Sequence, residues 1–185
     1  MAHEPSEEKV ISLILDVETT GLDPHEDRIV EMGFVLTDWK IIYGALKTYI
    51  NPERGFDNAY NKLNSKIVAD APTFGACLSF TYMLLLFADE YIAHNAKFDL
   101  AFMREELARH SLHLPRRNIF DTMRATGGRS LQDACRIAGV YTEDVNWHSA
   151  LDDAVACFRL AKAIRGDEPE MGKPQEAVAI VPRLS

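Results

Sequence analysis

A chain of 185 residues, 47% of them hydrophobic, is long enough to bury one proper core. Its net charge of −8 argues against a broad basic face for long duplex nucleic acid, though not against a small site whose positive charge is brought by bound metal. A membrane protein is also unsupported: residues 1–9 are polar and acidic, unlike a signal peptide, and the greasiest stretch, 82–88, is too short to cross a bilayer and reads as a core helix.

In chain order, residues 1–8 read as a flexible arm. The apolar run 9–17 is a first strand, 28–37 a second rich in β-branched and aromatic residues, and 41–50 a third that Asn51 and Pro52 stop. Strands so close in sequence pair as an antiparallel meander. Residues 57–70 read as a short helix or loop anchored by Leu63, Ile67 and Val68. Pro72 opens a helix over 73–90. A short strand at 91–93 leads into a helix at 96–110, for which Asn95 is a suitable cap. Residues 118–120 form a fifth strand ending in Asp121. A helix spans 130–138 and stops at Gly139. The last helix starts at Ser149, where Ser149 and Asp152 fit a capping box, and ends near Arg165 and Gly166. The organisation is thus an arm (1–8), one domain (9–165), and a linker and tail (166–185). Cys77, Cys135 and Cys157 form no Cys-x-x-Cys pair and read as buried thiols of a cytoplasmic, reducing compartment.

The chemistry begins at the first strand. Its apolar run ends in Asp16, and Glu18 follows two places on, so both carboxylates leave the strand on one face. Two acids that close repel, and a divalent cation held by oxygen ligands relieves them. Alone, the pair is better read as solvated acids after a strand. Asp99, in the first turns of the helix after Asn95, is alone better read as an acid at the positive end of a helix dipole. Asp153 falls in the first turn of the last helix, Asp152 is taken by the cap, and His148 lies on the loop just outside. Histidine titrates near neutrality, as a general base requires. Four acids at strand ends or helix starts plus one loop histidine make a two-metal hydrolase site. Asp16 would bridge both ions, Glu18, Asp99 and Asp153 would complete their shells, and His148 would take the proton of an attacking water.

These three segments, Asp16-Val-Glu18-Thr-Thr-Gly21, His94-Asn-Ala-Lys-Phe-Asp99 and His148-Ser-Ala-Leu-Asp-Asp153, resemble in order the motifs of the DEDD exonucleases, in the branch with a catalytic histidine. The tyrosine branch requires Tyr at position 149, which is Ser. The resemblance is strongest to the proofreading epsilon subunits of bacterial DNA polymerase III, with RNase T and oligoribonuclease further off. It implies an α/β, RNase H-like fold: a five-stranded mixed sheet flanked by helices. It implies 3′→5′ hydrolysis with two Mg²⁺ or Mn²⁺, releasing 5′-mononucleotides. Asp16, Glu18, Asp99 and Asp153 would then be ligands and His148 the base. Thr19, Gly21 and Leu22 would line the terminal nucleotide's pocket, and Asn95 would lie near the scissile phosphate. The Val-His-Gly-Ile type of segment seen in proofreading relatives is replaced by Asn61-Lys-Leu-Asn64, so a base-packing histidine is missing. Phe56 or Tyr60 is a possible stacking substitute.

The leading expectation is a single-stranded DNA 3′-end exonuclease in proofreading or trimming. The alternatives are an RNA 3′ exonuclease of the RNase T or oligoribonuclease type, and an inactive binding subunit of a replication complex. A DNA polymerase is a candidate partner. So is a sliding clamp, which the Gln-led segment at 175–180 would meet.

Overall fold

The computed structural model describes residues 9–56 and 63–166. The arm at 1–8, Tyr60 and the tail from 167, with its 175–180 segment, lie outside the described residues.

Five strands, β1 (Ser12–Thr19), β2 (Ile29–Thr37), β3 (Ile42–Tyr49), β4 (Glu90–Ala93) and β5 (Asn118–Asp121), form one sheet in the order β3-β2-β1-β4-β5. The first three make the expected antiparallel meander, while β4 and β5 run parallel to β1, so the sheet is mixed. The helices are α1 (Phe74–Phe87), α2 (Ala96–Arg109), α3 (Thr122–Ala125), α4 (Leu131–Ile137) and α5 (Ala150–Arg165).

Alternation along β1 sorts its residues between two cores. Leu13, Leu15 and Val17 pack with Met32 and Phe34 against α1 and α2. Ile14 packs with Val35 and Ile92 against Ala154, Cys157 and Ala161 of α5. Asp16 and Glu18 continue the parity of Ile14 and emerge toward α5. Across the ladder they face Gly33 and Glu31, and the register shifts immediately after Glu18. A buried carboxylate also ties α2 to the sheet: Glu106 meets Arg28 at 3.4 Å and Arg109 at 3.2 Å.

The structure corrects several expectations. β1 runs through Glu18 and Thr19 because both still pair with β2. The helix over 73–90 ends at Phe87: Ala88 is extended, Glu90 joins β4, and Arg117 donates to the carbonyls of Leu86 and Ala88. Residues 82–88 are not wholly core, since Met83, Leu86 and Phe87 are exposed while Leu85 is buried. The helix α3 is unanticipated; its start is made by Asp121, which accepts from the N–H groups of Met123 and Arg124. Cys77 is only half-buried, whereas Cys135 and Cys157 are buried, and all three are free thiols. Phe56 packs beside Val30, Leu63 and Val68 rather than standing clear for stacking.

Candidate active site

The site lies where the end of β1 meets the first turns of α2 and α5. Glu18, His148 and Asp153 each offer one ligand atom, and these atoms lie within 4.8 Å of one another. Asp99 reaches the same strand from α2: its Oδ1 accepts the N–H of Val17 at 3.1 Å, between Asp16 and Glu18 in sequence. His148 is exposed and sits at φ 68°, left-handed backbone that costs a non-glycine residue about 1 kcal/mol or more. Its N–H donates to Oδ2 of Asp153 at 3.2 Å, which ties the loop to the helix. The residues 16, 18, 99, 148 and 153, scattered along the chain, are thus brought to one place.

The electrostatics record the crowding. Burial raises Asp16 well above the ordinary carboxylate range, and Asp99, Asp153, Glu18 and Glu31 push it further. Burial lifts Asp99 to about 8, against the opposing N–H of Val17, with Asp121 and Glu18 adding to the rise. Burial and then Glu18 lift Asp153 to about 7. Nearby positive charge is what such a group needs to ionise at neutral pH. Oδ1 of Asp153 is buried with no hydrogen-bond partner, an acceptor left open for a cation. The donor set of carboxylates and one imidazole suits a hard or borderline divalent ion.

The substrate-side residues are placed as follows. Oγ1 of Thr19 donates to the carbonyl of Gly21 at 2.6 Å, folding the loop back on itself. A Cβ on Gly21 would lie 2.3 Å from Oδ2 of Asp27, so only glycine lets that carboxylate close the turn, where it also accepts from Oγ1 of Thr20 at 2.8 Å. Leu22 stands 64% exposed, an apolar side chain facing solvent beside the acids' strand. Lys97, Arg104 and Arg124 line a groove of about 780 Å³ whose walls include Ala96, Leu100, Phe120 and Asp121.

Two capping expectations fail. Asn95 holds the N-cap position of α2 at φ 79°, but its side chain makes no cap bond. Asp121 does that work from β5, accepting from the N–H groups of Asn95 and Ala96, each at 3.2 Å. Ser149 likewise makes no side-chain cap bond, so the Ser149–Asp152 box does not form. Glu31 of β2 takes its place: Oε1 accepts the N–H of Ala150 at 2.9 Å and the Oγ of Ser149 at 3.3 Å. Sequence reasoning missed Glu31, its partner Lys47 at 2.9 Å, and the capping role of Asp121. The available signal was a single acid inside the otherwise apolar run 29–36. His94, the head of the second motif, is engaged elsewhere: its ring bridges Oγ1 of Thr122 and the carbonyl of Arg129, each at 2.9 Å.

The family model described as an exonuclease, RNase_T, matches residues 13–161. The DNA polymerase III subunit epsilon of Rickettsia prowazekii (strain Madrid E) is 31% identical over 183 residues, covering 89% of this chain and 80% of that protein. The protein of the same name from Rickettsia conorii (strain ATCC VR-613 / Malish 7) is 30% identical over 188 residues, covering 94% of this chain and 81% of its own length. Among solved structures, the zinc-bound E. coli exonuclease I–single-stranded DNA complex superposes with a TM-score of 0.73 at 16% identity, covering 86% of this chain. The overlap spans 41% of that longer protein, and at this identity it establishes the fold. Such exonucleases depend on a divalent metal, and the acid–histidine group is where this chain would hold one. Among the described residues, no helix is long and apolar enough to cross a membrane.

Proposed function

Given that this chain belongs to the RNase_T exonuclease family and is a 3′→5′ exonuclease, we propose that it trims single-stranded DNA 3′ ends to 5′-mononucleotides, as a proofreader or end-trimmer. The observation that carries the reading is the meeting of Glu18, His148 and Asp153 within 4.8 Å, beside two further acids whose protons are held well above the usual range.

Asp16, Glu18, Asp99 and Asp153 would hold two divalent cations, Mg²⁺ or Mn²⁺. Bound, these supply positive charge to the scissile phosphate and to the departing 3′ oxygen. The other roles belong to the chain. A ring nitrogen of His148 takes the proton from the attacking water, the new O–P bond forms, and the P–O3′ bond breaks. His148 is exposed, so its ring is open to a strand end arriving from solvent. Leu22 wedges against the terminal base, a backbone amide near Thr19 meets the 3′ hydroxyl with Gly21 keeping the loop tight, and Asn95 lies beside the scissile phosphate. Lys97, Arg104 and Arg124 suit the strand's phosphates.

The preference for DNA over RNA follows the relatives named as DNA polymerase subunits. The same likeness makes a polymerase the candidate partner and the cytoplasm the candidate location. Matched, labelled DNA and RNA oligonucleotides, with and without Mg²⁺, test the substrate. DNA shortened from its 3′ end at least as fast as RNA supports the proposal, and RNA processed much faster replaces it with an RNA-trimming enzyme. Asp16→Ala removes several kcal/mol of transition-state stabilisation, a loss of about a thousandfold or more in kcat. Unchanged hydrolysis in that variant rejects the site.

A further inference from the structure

We infer that Glu31, held by Lys47, is a positioning residue for the active site, an inference that rests on the exonuclease reading above. Glu31 is 1% exposed, and it lies directly across the ladder from Glu18. Its Oε1 collects three donors from two other elements: Lys47 Nζ of β3 at 2.9 Å, Ala150 N–H at 2.9 Å and Ser149 Oγ at 3.3 Å. Lys47 Nζ in turn donates to Ser149 Oγ at 3.0 Å, which closes the network over β2, β3 and α5. Burial works against the Lys47 ammonium, yet Glu31 and Tyr49 together outweigh it and its pKa is raised.

What this network holds is the start of α5. Helix N-termini leave their first N–H groups without intrahelical partners, and here Ser149 supplies no side-chain cap. Glu31 satisfies one of those groups and so fixes Ala150 over β2. Two residues along the same strand face, a Cβ on Gly33 would fall 2.2 Å from the carbonyl carbon of Ala150, so the helix start is pressed onto the strand itself. Asp153 in this helix and His148 just before it both hang from that point. The N–H of Asp153 bonds the carbonyl of Ser149 at 2.9 Å, and the N–H of His148 bonds Asp153 at 3.2 Å. The distance from Asp153 to Glu18 is therefore set by Glu31. A neutral cap on Ser149 would serve the helix equally well. A buried acid directly across the ladder from Glu18 adds repulsion, which Asp16 and Asp153 both register. The ion pair with Lys47 offsets that repulsion and gives the cap a fixed direction. Glu31 stands outside the group of candidate ligands, so it acts through its neighbours.

The test uses the full chain carrying Glu31→Ala or Glu31→Gln. Circular dichroism checks folding, Mn²⁺ binding is followed by titration, and kcat and KM are measured on a single-stranded DNA oligonucleotide. Removing an outer partner of a metal site costs 10–100-fold in affinity or activity. Glu31→Ala should thus lower kcat and Mn²⁺ affinity by about that factor, with KM within about threefold of wild type. Glu31→Gln keeps an acceptor for Ala150 and should recover to within about fivefold on both readouts. Glu31→Ala within threefold of wild type on both overturns the inference, as does a Gln variant no better than Ala. Should Glu31→Ala fail to fold, Lys47→Met decides: about a tenfold loss of kcat at constant KM supports the inference, and unchanged kcat overturns it. A wild-type chain that binds Mn²⁺ but cleaves nothing sinks the exonuclease reading alone, and the Mn²⁺ comparison then judges Glu31. A wild type that binds no Mn²⁺ overturns both.

Discussion

The two helix starts that build the site are alike in plan and different in hold. Each follows a residue in left-handed backbone, Asn95 at φ 79° or His148 at φ 68°, and each presents an acid four residues after its N-cap: Asp99 after Asn95, Asp153 after Ser149. Neither N-cap side chain caps its own helix, and in each case a strand carboxylate does so, Asp121 from β5 or Glu31 from β2. The difference is in what surrounds the acid. Asp121 is satisfied by four backbone N–H groups, and Asp99 is buried with an N–H on Oδ1. Glu31 needs a lysine, and Asp153 is half-buried with one oxygen unpartnered. The α2 acid is anchored through Oδ1 to the strand that carries Asp16 and Glu18. The α5 acid is held from behind and open in front, which is the arrangement for a group that takes up a cation beside an exposed histidine.

The comparison breaks most severely at Gly33. A Cβ there collides with the backbone of Ala150 and Leu151, so Gly33→Ala should lift the start of α5 while α2 stays in place. A misplacement of about 1 Å costs roughly a hundredfold in kcat, to be read beside an unchanged circular dichroism spectrum. Activity within threefold of wild type would mean that α5 tolerates the shift and that the two starts are equally secure.

A smaller effect tests the acids together. Asp99 and Asp153 are raised to about 8 and about 7, so between the unfolded carboxylate range and those values the native chain holds protons that the unfolded chain has released. Stability without divalent ions must then fall as pH rises from about 4 toward about 8, because the native state binds more protons throughout that window. Thermal unfolding should show a Tm lower by roughly 5–10 °C at pH 8 than at pH 5, with excess Mg²⁺ reversing the loss. A Tm that holds level, or that Mg²⁺ leaves untouched, would place the acids in solvent.

The smallest effect separates cap from chemistry at Asn95. Glycine adopts φ 79° freely and the Asn95 side chain makes no cap bond, so Asn95→Gly should leave Tm within about 2 °C. A position beside the phosphate predicts a fall in kcat of about three- to tenfold from the same variant, consistent with one lost polar contact. A large drop in Tm would show that the side chain supports α2 after all.

Much of this is legible in the sequence. The parity of Asp16 and Glu18 with Ile14 follows from the pleat, and the meander follows from three short-spaced apolar runs. The stop at Gly166 is a left-handed C-cap at φ 81°. The sequence points to Asn95 and Ser149 as caps because they have the right chemistry in the right place, and local pattern cannot register that a carboxylate from a distant strand arrives first. The sequence pattern overruns the end of α1 because residues 82–88 are uniformly apolar, and only the pairing of Glu90 with Ser12 and Asn118 makes the chain extend there.

By itself, the amino-acid order determined which residues carry charge at the ends of apolar segments and on which side of each strand they emerge. Those are consequences of side-chain chemistry and of backbone periodicity, both local. Only the tertiary structure decided that Glu31 and Asp121 close the two helices, that Gly33 lets α5 touch β2, and that Glu18, His148 and Asp153 share one small volume. Each of those depends on contacts between elements far apart in the chain, and such contacts are set by how the sheet and its helices pack together.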